Sequence, residues 1–423
     1  MRHRFARHST AVACAPPACL HDEAVSAVIL GEGSLANFLK SAKYGSVDEL
    51  RFLAHLSIVP GVPHDVSQAL LKAYISHLVD AKLPNLVALY VSMLDEQERV
   101  DTYVKVCLVT GRDDVRSTVY SLGISHLPDQ MEEVLATAVR STINSDDEPY
   151  ASKLSSLEWL TFDECYALEL LSMSNLLLRQ LMSRGLFETC QSLLVSHLPH
   201  TTVQTIRTMV SAGGEAEGLE SDADSAVWEH ESLAAGVVAL TKYSLWKETH
   251  ARVVADDVAE GIGPREGGVG DTADLEALSE EEREIARKMK EREERLRTSE
   301  KVRELVGVAA EAIEALQSVL LFEGGYLNFS GTGEEEEPGR SDELSSLRSD
   351  LIPLFLNMLV HVNLTMGTYT SEKSYLKATI ELAVVVARPE TRIMEVLGRE
   401  SVEGFLGKVA ESGVKYVGLG GVL

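Results

Sequence analysis

The side chains in this 423-residue sequence whose types and spacing could do chemistry are few. Asp256-Asp257-Val258-Ala259-Glu260 forms a DDxxE string. In an all-α enzyme, clustered carboxylates of this kind can hold Mg²⁺ against a diphosphate, because a hard cation takes oxygen ligands. A second acidic motif on another helix would have to complete that site, and the sequence offers none, so no metal and no cofactor is assigned. Gly261-Ile262-Gly263 follows directly, but it lacks the later glycine of a dinucleotide loop and no strand precedes it, so it reads as a connector. The five cysteines, 14, 19, 107, 165 and 190, are odd in number, scattered and without a C-x-x-C pair. Neither a disulfide framework nor a zinc ribbon is written there, and a reducing compartment follows. Cys14, Cys19 and His21 do not have the spacing of a structural zinc site. Cys107, Cys165 and Cys190 fall on or near apolar helix faces and are expected in the core as small hydrophobes.

His126 and His197 each sit in a His-Leu-Pro string at a helix junction, where a loop or cap role is expected. Asn328 and Asn363 head glycosylation sequons that are expected to be unused. HExxH, P-loop and G-x-S-x-G motifs do not occur, so no catalytic residue is named and no enzyme is expected.

The elements that carry these residues are helices. Leu70, Leu71, Tyr74, Ile75, Leu78 and Val79 form one broad apolar stripe, and Pro84, with its fixed φ, opens a second through Leu86, Leu89, Tyr90, Met93 and Leu94. A third helix is expected from Glu96 to Val109, closed by Gly111 and followed by one that Asp113 caps. Pro128 opens another, with Met131, Val134, Leu135 and Val139 inward. Leu168, Leu171, Leu178 and Met182 run to Gly185, expected as a left-handed helix end, and Leu186 to Leu198 return. Short helix-plus-loop units without an exact consensus are the signature of an all-α, irregular α-helical solenoid of stacked hairpins.

Charge narrows the partners. Lys plus Arg is 39 and Asp plus Glu 65, a net charge of −26, which disfavours nucleic acid and anionic membrane. The N-terminal stretch has Arg2, Arg4 and Arg7 before any acid, as a mitochondrial presequence would, but Pro16 and Pro17 interrupt an amphipathic helix there. The stretch Leu382 to Ala387 is far below the roughly 20 residues of a membrane span. Acid-rich breaks are expected as linkers at 211–224, 255–274 and 331–343, with a charged helix from about Leu275 to Phe322. Ile285, Met289 and Leu296 are too sparse there for a coiled-coil seam.

Leu351 to Val360 is apolar around nearly its whole circumference and must be covered. Leu316, Leu320 and Leu321 before it and Leu376, Ile380 and Val384 after it are the expected internal cover. A partner helix is the alternative, with Leu351, Leu354, Phe355, Met358, Leu359 and Val362 as candidate partner-binding residues.

Five strings in order, LLKAYISHLVDAKLPNLVALYVSML at 70–94, EWLTFD at 158–163, LLRQLMSRGLFETCQSLLVSHLP at 177–199, SVLLFEGGYL at 318–327 and LRSDLIPLFLNMLVHVNLTMGTY at 347–369, resemble the C-terminal half of the nucleoporin 107/nucleoporin 84 family. The resemblance implies a non-enzymatic scaffold of the nuclear pore Y-complex at the nuclear envelope, supporting nucleocytoplasmic transport. Its implied partners are other Y-complex nucleoporins, chiefly a nucleoporin 133-like protein met through residues 300–423. The expected organisation is an unmatched, disordered segment 1–45, solenoid 46–210, acidic linker 211–224, solenoid helix 225–254, linker and charged helix 255–300, and C-terminal docking domain 301–423. The competing expectations are a vesicle-coat or tethering solenoid, and an Mg²⁺ enzyme using Asp256, Asp257 and Glu260.

Overall fold

The computed structural model describes residues 19–30, 32–60, 62–110, 113–212, 217–259, 287, 300–328 and 339–421. Among them are seventeen α-helices and no strand. The chain divides into two compact units, Met1–Phe162 and Asp163–Leu423, and the division falls inside the stretch 46–210 that reads as one solenoid segment.

The first unit contains α1 (Leu20–Leu30), α2 (Glu32–Ser41), α3 (Val47–Ser57), α4 (His64–Asp80), α5 (Pro84–Val91), α6 (Glu96–Val109), α7 (Asp113–His126), α8 (Met131–Asn144) and α9 (Tyr150–Ser156). Helix α3 starts at a capping box, in which the Ser46 hydroxyl accepts from the Glu49 N–H and the Glu49 carboxylate accepts from the Ser46 N–H. Helices pack on a chain neighbour, as in α3 with α4 and α4 with α5, or on the next but one, as in α4 with α6, α5 with α7 and α6 with α8, so burial proceeds stepwise in the manner of a solenoid. The expected starts at Pro84 and Glu96 are those observed, while Pro128 opens a 3₁₀ turn that runs into α8. Gly111 lies outside the described residues.

Polar ties lock this stack. Arg116 of α7 is buried, pairs with Glu158 and lies 5.9 Å from the centre of the Trp159 ring. Tyr103 of α6 donates to the Val119 carbonyl of α7 at 2.7 Å. Behind the apolar stripe of α4, the Gln68 amide donates to the Met93 carbonyl and accepts from the Asp95 N–H.

The α4–α5 turn is a hydrogen-bonded cap: Leu83 N–H donates to the Leu78 carbonyl and Lys82 N–H to that of Val79, both at 3.0 Å. It requires φ of +55° at Lys82, a left-handed conformation that costs a non-glycine residue about 1 kcal/mol or more.

The second unit contains α10 (Ala167–Ser183), α11 (Phe187–Ser192), α12 (Thr202–Ala212), α13 (Glu217–Ala259), α14 (Glu300–Leu320), α15 (Arg340–Thr370), α16 (Lys373–Val386) and α17 (Arg399–Gly418). The α10–α11 turn repeats that of α4–α5, with Leu186 N–H on the Leu181 carbonyl, Gly185 N–H on that of Met182, and φ of +71° at Gly185. The expected single return helix is α11 followed by a π turn at Leu193–His197.

Three expectations of linker, and that of disorder over 1–45, give way to helix in the described residues. Residues 20–30 and 32–41 form α1 and α2, 217–224 and 255–259 belong to α13, and 340–343 belong to α15, where Asp342 and Glu343 in the first turn favour the positive helix end. Residues 213–216, 260–286 and 288–299 lie outside the described set, with most of the expected charged helix and the Gly261-Ile262-Gly263 connector.

Helix α13, 43 residues and so about 65 Å long, packs on α10, α11, α12 and α14. Its pairing with α14 is antiparallel and edged by ion pairs, Lys242–Glu311 at 2.5 Å, Arg252–Glu304 at 2.7 Å and Asp256–Lys301 at 2.9 Å. Helix α15 packs against α14, α16, α17 and, returning across the unit, α10.

Candidate docking surface

Helix α15 is long and apolar enough to cross a membrane by length and composition. Thirteen of its residues are nevertheless buried against other helices of the unit, Arg348 and Asn363 among them, which is the pattern of a core helix. This decides where the six candidate partner residues stand. Phe355, Leu359 and Val362 are 0% exposed and Leu351 3%, whereas Leu354 and Met358 are only half-buried. The four buried ones can serve a docking surface only by holding α15 in place. Of the expected cover, Leu316, Leu320 and Leu376 are buried, but Leu321 and Val384 point outward at 53% and 61% exposure.

Loop 321–328 seals one side of α15. Tyr326 is buried edge-on against Phe355, with ring centres 5.6 Å apart, and its hydroxyl abuts Gly236 of α13, where any Cβ would collide with it. That hydroxyl is buried without a hydrogen-bond partner, and burial pushes its pKa far up. Arg348 reaches Asn328 and the Arg392 carbonyl, each at 2.9 Å, fastening α15 to the loops on both sides. Burial pulls the Arg348 pKa down, with smaller effects from Glu395 and Arg392.

The start of α15 is held by buried charge. Glu229 of α13, 1% exposed, accepts from Arg179 of α10 and Arg340 of α15, and Arg179 Nε donates to Glu343 at 2.7 Å. Two cations and two anions from three helices thus neutralise one another. One turn along, His230 Nδ1 donates to Asn175 Oδ1 at 3.1 Å and Asn175 Nδ2 donates to the Ala226 carbonyl. Burial lowers the His230 pKa to about 4, so the ring is neutral at pH 7.

At the α13–α15 seam, Trp246 lies among Tyr243, His250 and His361, and the Tyr243 hydroxyl meets His361 Nδ1 at 2.8 Å. Burial, then His361, lowers the His250 pKa; burial, then Lys408 and Lys247, lowers that of His361.

The bare apolar surface lies further on. Helix α17 buries only Phe405 and Ser412 of its 20 residues. Leu406, Val414 and Val417 lie within one face of it, exposed by 51%, 75% and 50%, and Val384 and Met394 are exposed nearby in sequence. From Ser371 onward the chain carries seven Lys and Arg against seven Glu, so the whole charge of −26 belongs to the residues before it. An apolar contact there meets no long-range repulsion from its own segment.

The chemistry-bearing residues are dispersed. Asp256 pairs with Lys301, while the side chains of Asp257 and Glu260 lie outside the described residues. Cys107 and Cys190 are buried as expected, with burial pushing their thiols up to about 12, but Cys165 is exposed, because it lies on the short 3₁₀ turn before α10. Asn363 is 1% exposed and Asn328 is engaged by Arg348, so neither sequon presents a free amide. The ionic cluster and the α17 face were missed by sequence reasoning. A charged residue interrupting an apolar stripe, as Arg179 does after Leu178, was the available signal.

Within each unit helices pack on one another, with no strand among the described residues, which defines an all-α, solenoid-like protein. Residues 25–413 match the family described as Nuclear pore protein 84 / 107, and the chain belongs to that family of nuclear pore scaffold nucleoporins. It is 28% identical over 234 residues to nucleoporin nup107 of Schizosaccharomyces pombe, covering 50% of this chain and 28% of that protein. With the human nuclear pore complex protein Nup107 it shares 22% over 396 residues, 88% of this chain and 40% of the relative, and with the rat protein 21% over 395 residues with the same coverage. The chain therefore spans at most two fifths of the length of these relatives.

Proposed function

We propose that this chain is a non-enzymatic scaffold of the nuclear pore Y-complex, supporting nucleocytoplasmic transport by docking its C-terminal helices onto a nucleoporin 133-like helical protein. The observation that carries the reading is the bare face of α17, Leu406, Val414 and Val417, in a segment of balanced charge. Apolar area of this kind suits a contact between helical stacks in a long-lived assembly. Leu354 and Met358, half-buried on α15, are the two earlier candidates able to contribute contact directly.

The test is recovery of a nucleoporin 133-like protein from source-cell lysate on the full chain. Val414→Asp is expected to leave the melting temperature within a degree or two and to weaken the complex at least tenfold, since it places a charge in an apolar contact. Phe355→Asp is expected to lose both folding and binding, because it buries a carboxylate in the core. Undiminished recovery with a Leu406→Asp/Val414→Asp double variant, or recovery of vesicle-coat subunits instead, would overturn the reading.

A further inference from the structure

The first unit contains a cleft of about 390 Å³ that the docking reading does not use. Val79 at the end of α4, Leu83 and Val87 around the start of α5, Val106 and Val109 at the end of α6, and Val115 of α7 wall it. That volume lies within the range of natural ligand clefts, about 300–1,000 Å³. Val109 and Leu83 are 61% and 45% exposed, so the space opens to solvent.

Among the described residues that line the cleft, Lys82 is the charged one. Lys105 is exposed on α6 one turn before Val109, and the exposed Asp80 and Asp101 stand two residues before Lys82 and one turn before Lys105. Neither lysine has an ion-pair partner among the described residues. Lys82 occupies the left-handed position that glycine fills in the matching turn at Gly185. Glycine would make the same turn without strain, and the strained lysine instead keeps an ammonium at the lining of an apolar space. Strain of this kind at a cleft points to a function for the side chain that causes it.

We propose that this cleft binds a short segment of a partner protein in which an aliphatic side chain is followed by a carboxylate. The aliphatic group fills the valine-lined space, and the carboxylate meets the Lys82 ammonium. The Lys82 ammonium selects a carboxylate over a cation at that position.

The test titrates the full chain with the peptide acetyl-Gly-Leu-Leu-Glu-Glu-amide, with a control in which lysine replaces both glutamates, followed by ligand-detected NMR. The acidic peptide is expected to bind at least tenfold more tightly than the basic one. Lys82→Gly, which keeps the turn and relieves its strain, is expected to weaken the acidic peptide about fivefold, the upper range for one exposed ion pair, without lowering the melting temperature. Val109→Glu is expected to abolish binding. Equal binding of the two peptides, or unchanged affinity in Lys82→Gly, overturns the proposal. So does binding of decanoate without either peptide, which would make the cleft a site for a free amphiphile.

Discussion

The hairpins α4–α5 and α10–α11 make one turn with two different residues. Both follow a 17-residue helix, both close with a leucine N–H reaching back five residues, and both need a left-handed residue before that leucine. One uses Lys82 and the other Gly185. The backbone form therefore follows from the hydrogen bonds that satisfy the helix end, while the residue in the strained position is set by its surroundings. The hairpins differ again behind the turn. The buried face of α4 is apolar apart from Gln68, whereas α10 buries Ser174, Asn175 and Arg179. Helix α10 thus depends on buried charge pairing that α4 does without.

That contrast can be broken at three points. The largest effect is expected from Glu229→Ala, which leaves Arg179 and Arg340 without their shared buried anion. A loss of about 3–5 kcal/mol is expected in urea unfolding. A loss under 1 kcal/mol would mean that the cluster is solvated and the contrast superficial.

The second is pH. His230 has its folded pKa pulled by burial from 6.5 to about 4, so its neutral form is favoured in the folded chain. Its contribution is complete above pH 6.5 and is lost as pH falls through about 4, amounting to roughly 3 kcal/mol. His250 and His361, also lowered, add in the same direction. Unfolding midpoints measured from pH 7.5 to 4 should fall for the parent chain and fall less for His230→Gln. Identical slopes would remove His230 from the account.

The smallest effect sharpens the comparison of the turns themselves. Lys82→Gly is expected to stabilise by about 1 kcal/mol at most, the glycine's unfolded-state freedom offsetting part of the relieved strain. Gly185→Lys is expected to cost about 1 kcal/mol. Thermal melts of both variants check the pair, and opposite signs are the required result.

Much of this was legible in the sequence because it depends on near neighbours. Pro84 at a first helical position, Gly185 at a left-handed end and the limits of α6 follow from residues within one or two turns. The family's strings carried the fold class for the same reason. The ionic cluster was not legible, since Arg179 finds Glu229 and Glu343 across 50 and 164 residues. Nor was the bare face of α17. Periodicity marks Leu351 to Val362 as requiring cover, but four neighbouring helices supply it, and only packing reveals that Leu406, Val414 and Val417 remain bare.

The contact between Gly236 and Tyr326 restricts the order in which this protein's sequence can change. A methyl group at 236 collides with the Tyr326 hydroxyl, so alanine entering first would have to displace the loop that seals α15. Phenylalanine at 326 removes a hydroxyl that has no hydrogen-bond partner and leaves the ring carbon 3.2 Å from that methyl, a distance a slight shift can relieve. Of two one-step routes to the same Ala/Phe pair, one passes through a folded intermediate and the other through a damaged one. Position 326 is the one that has to change first.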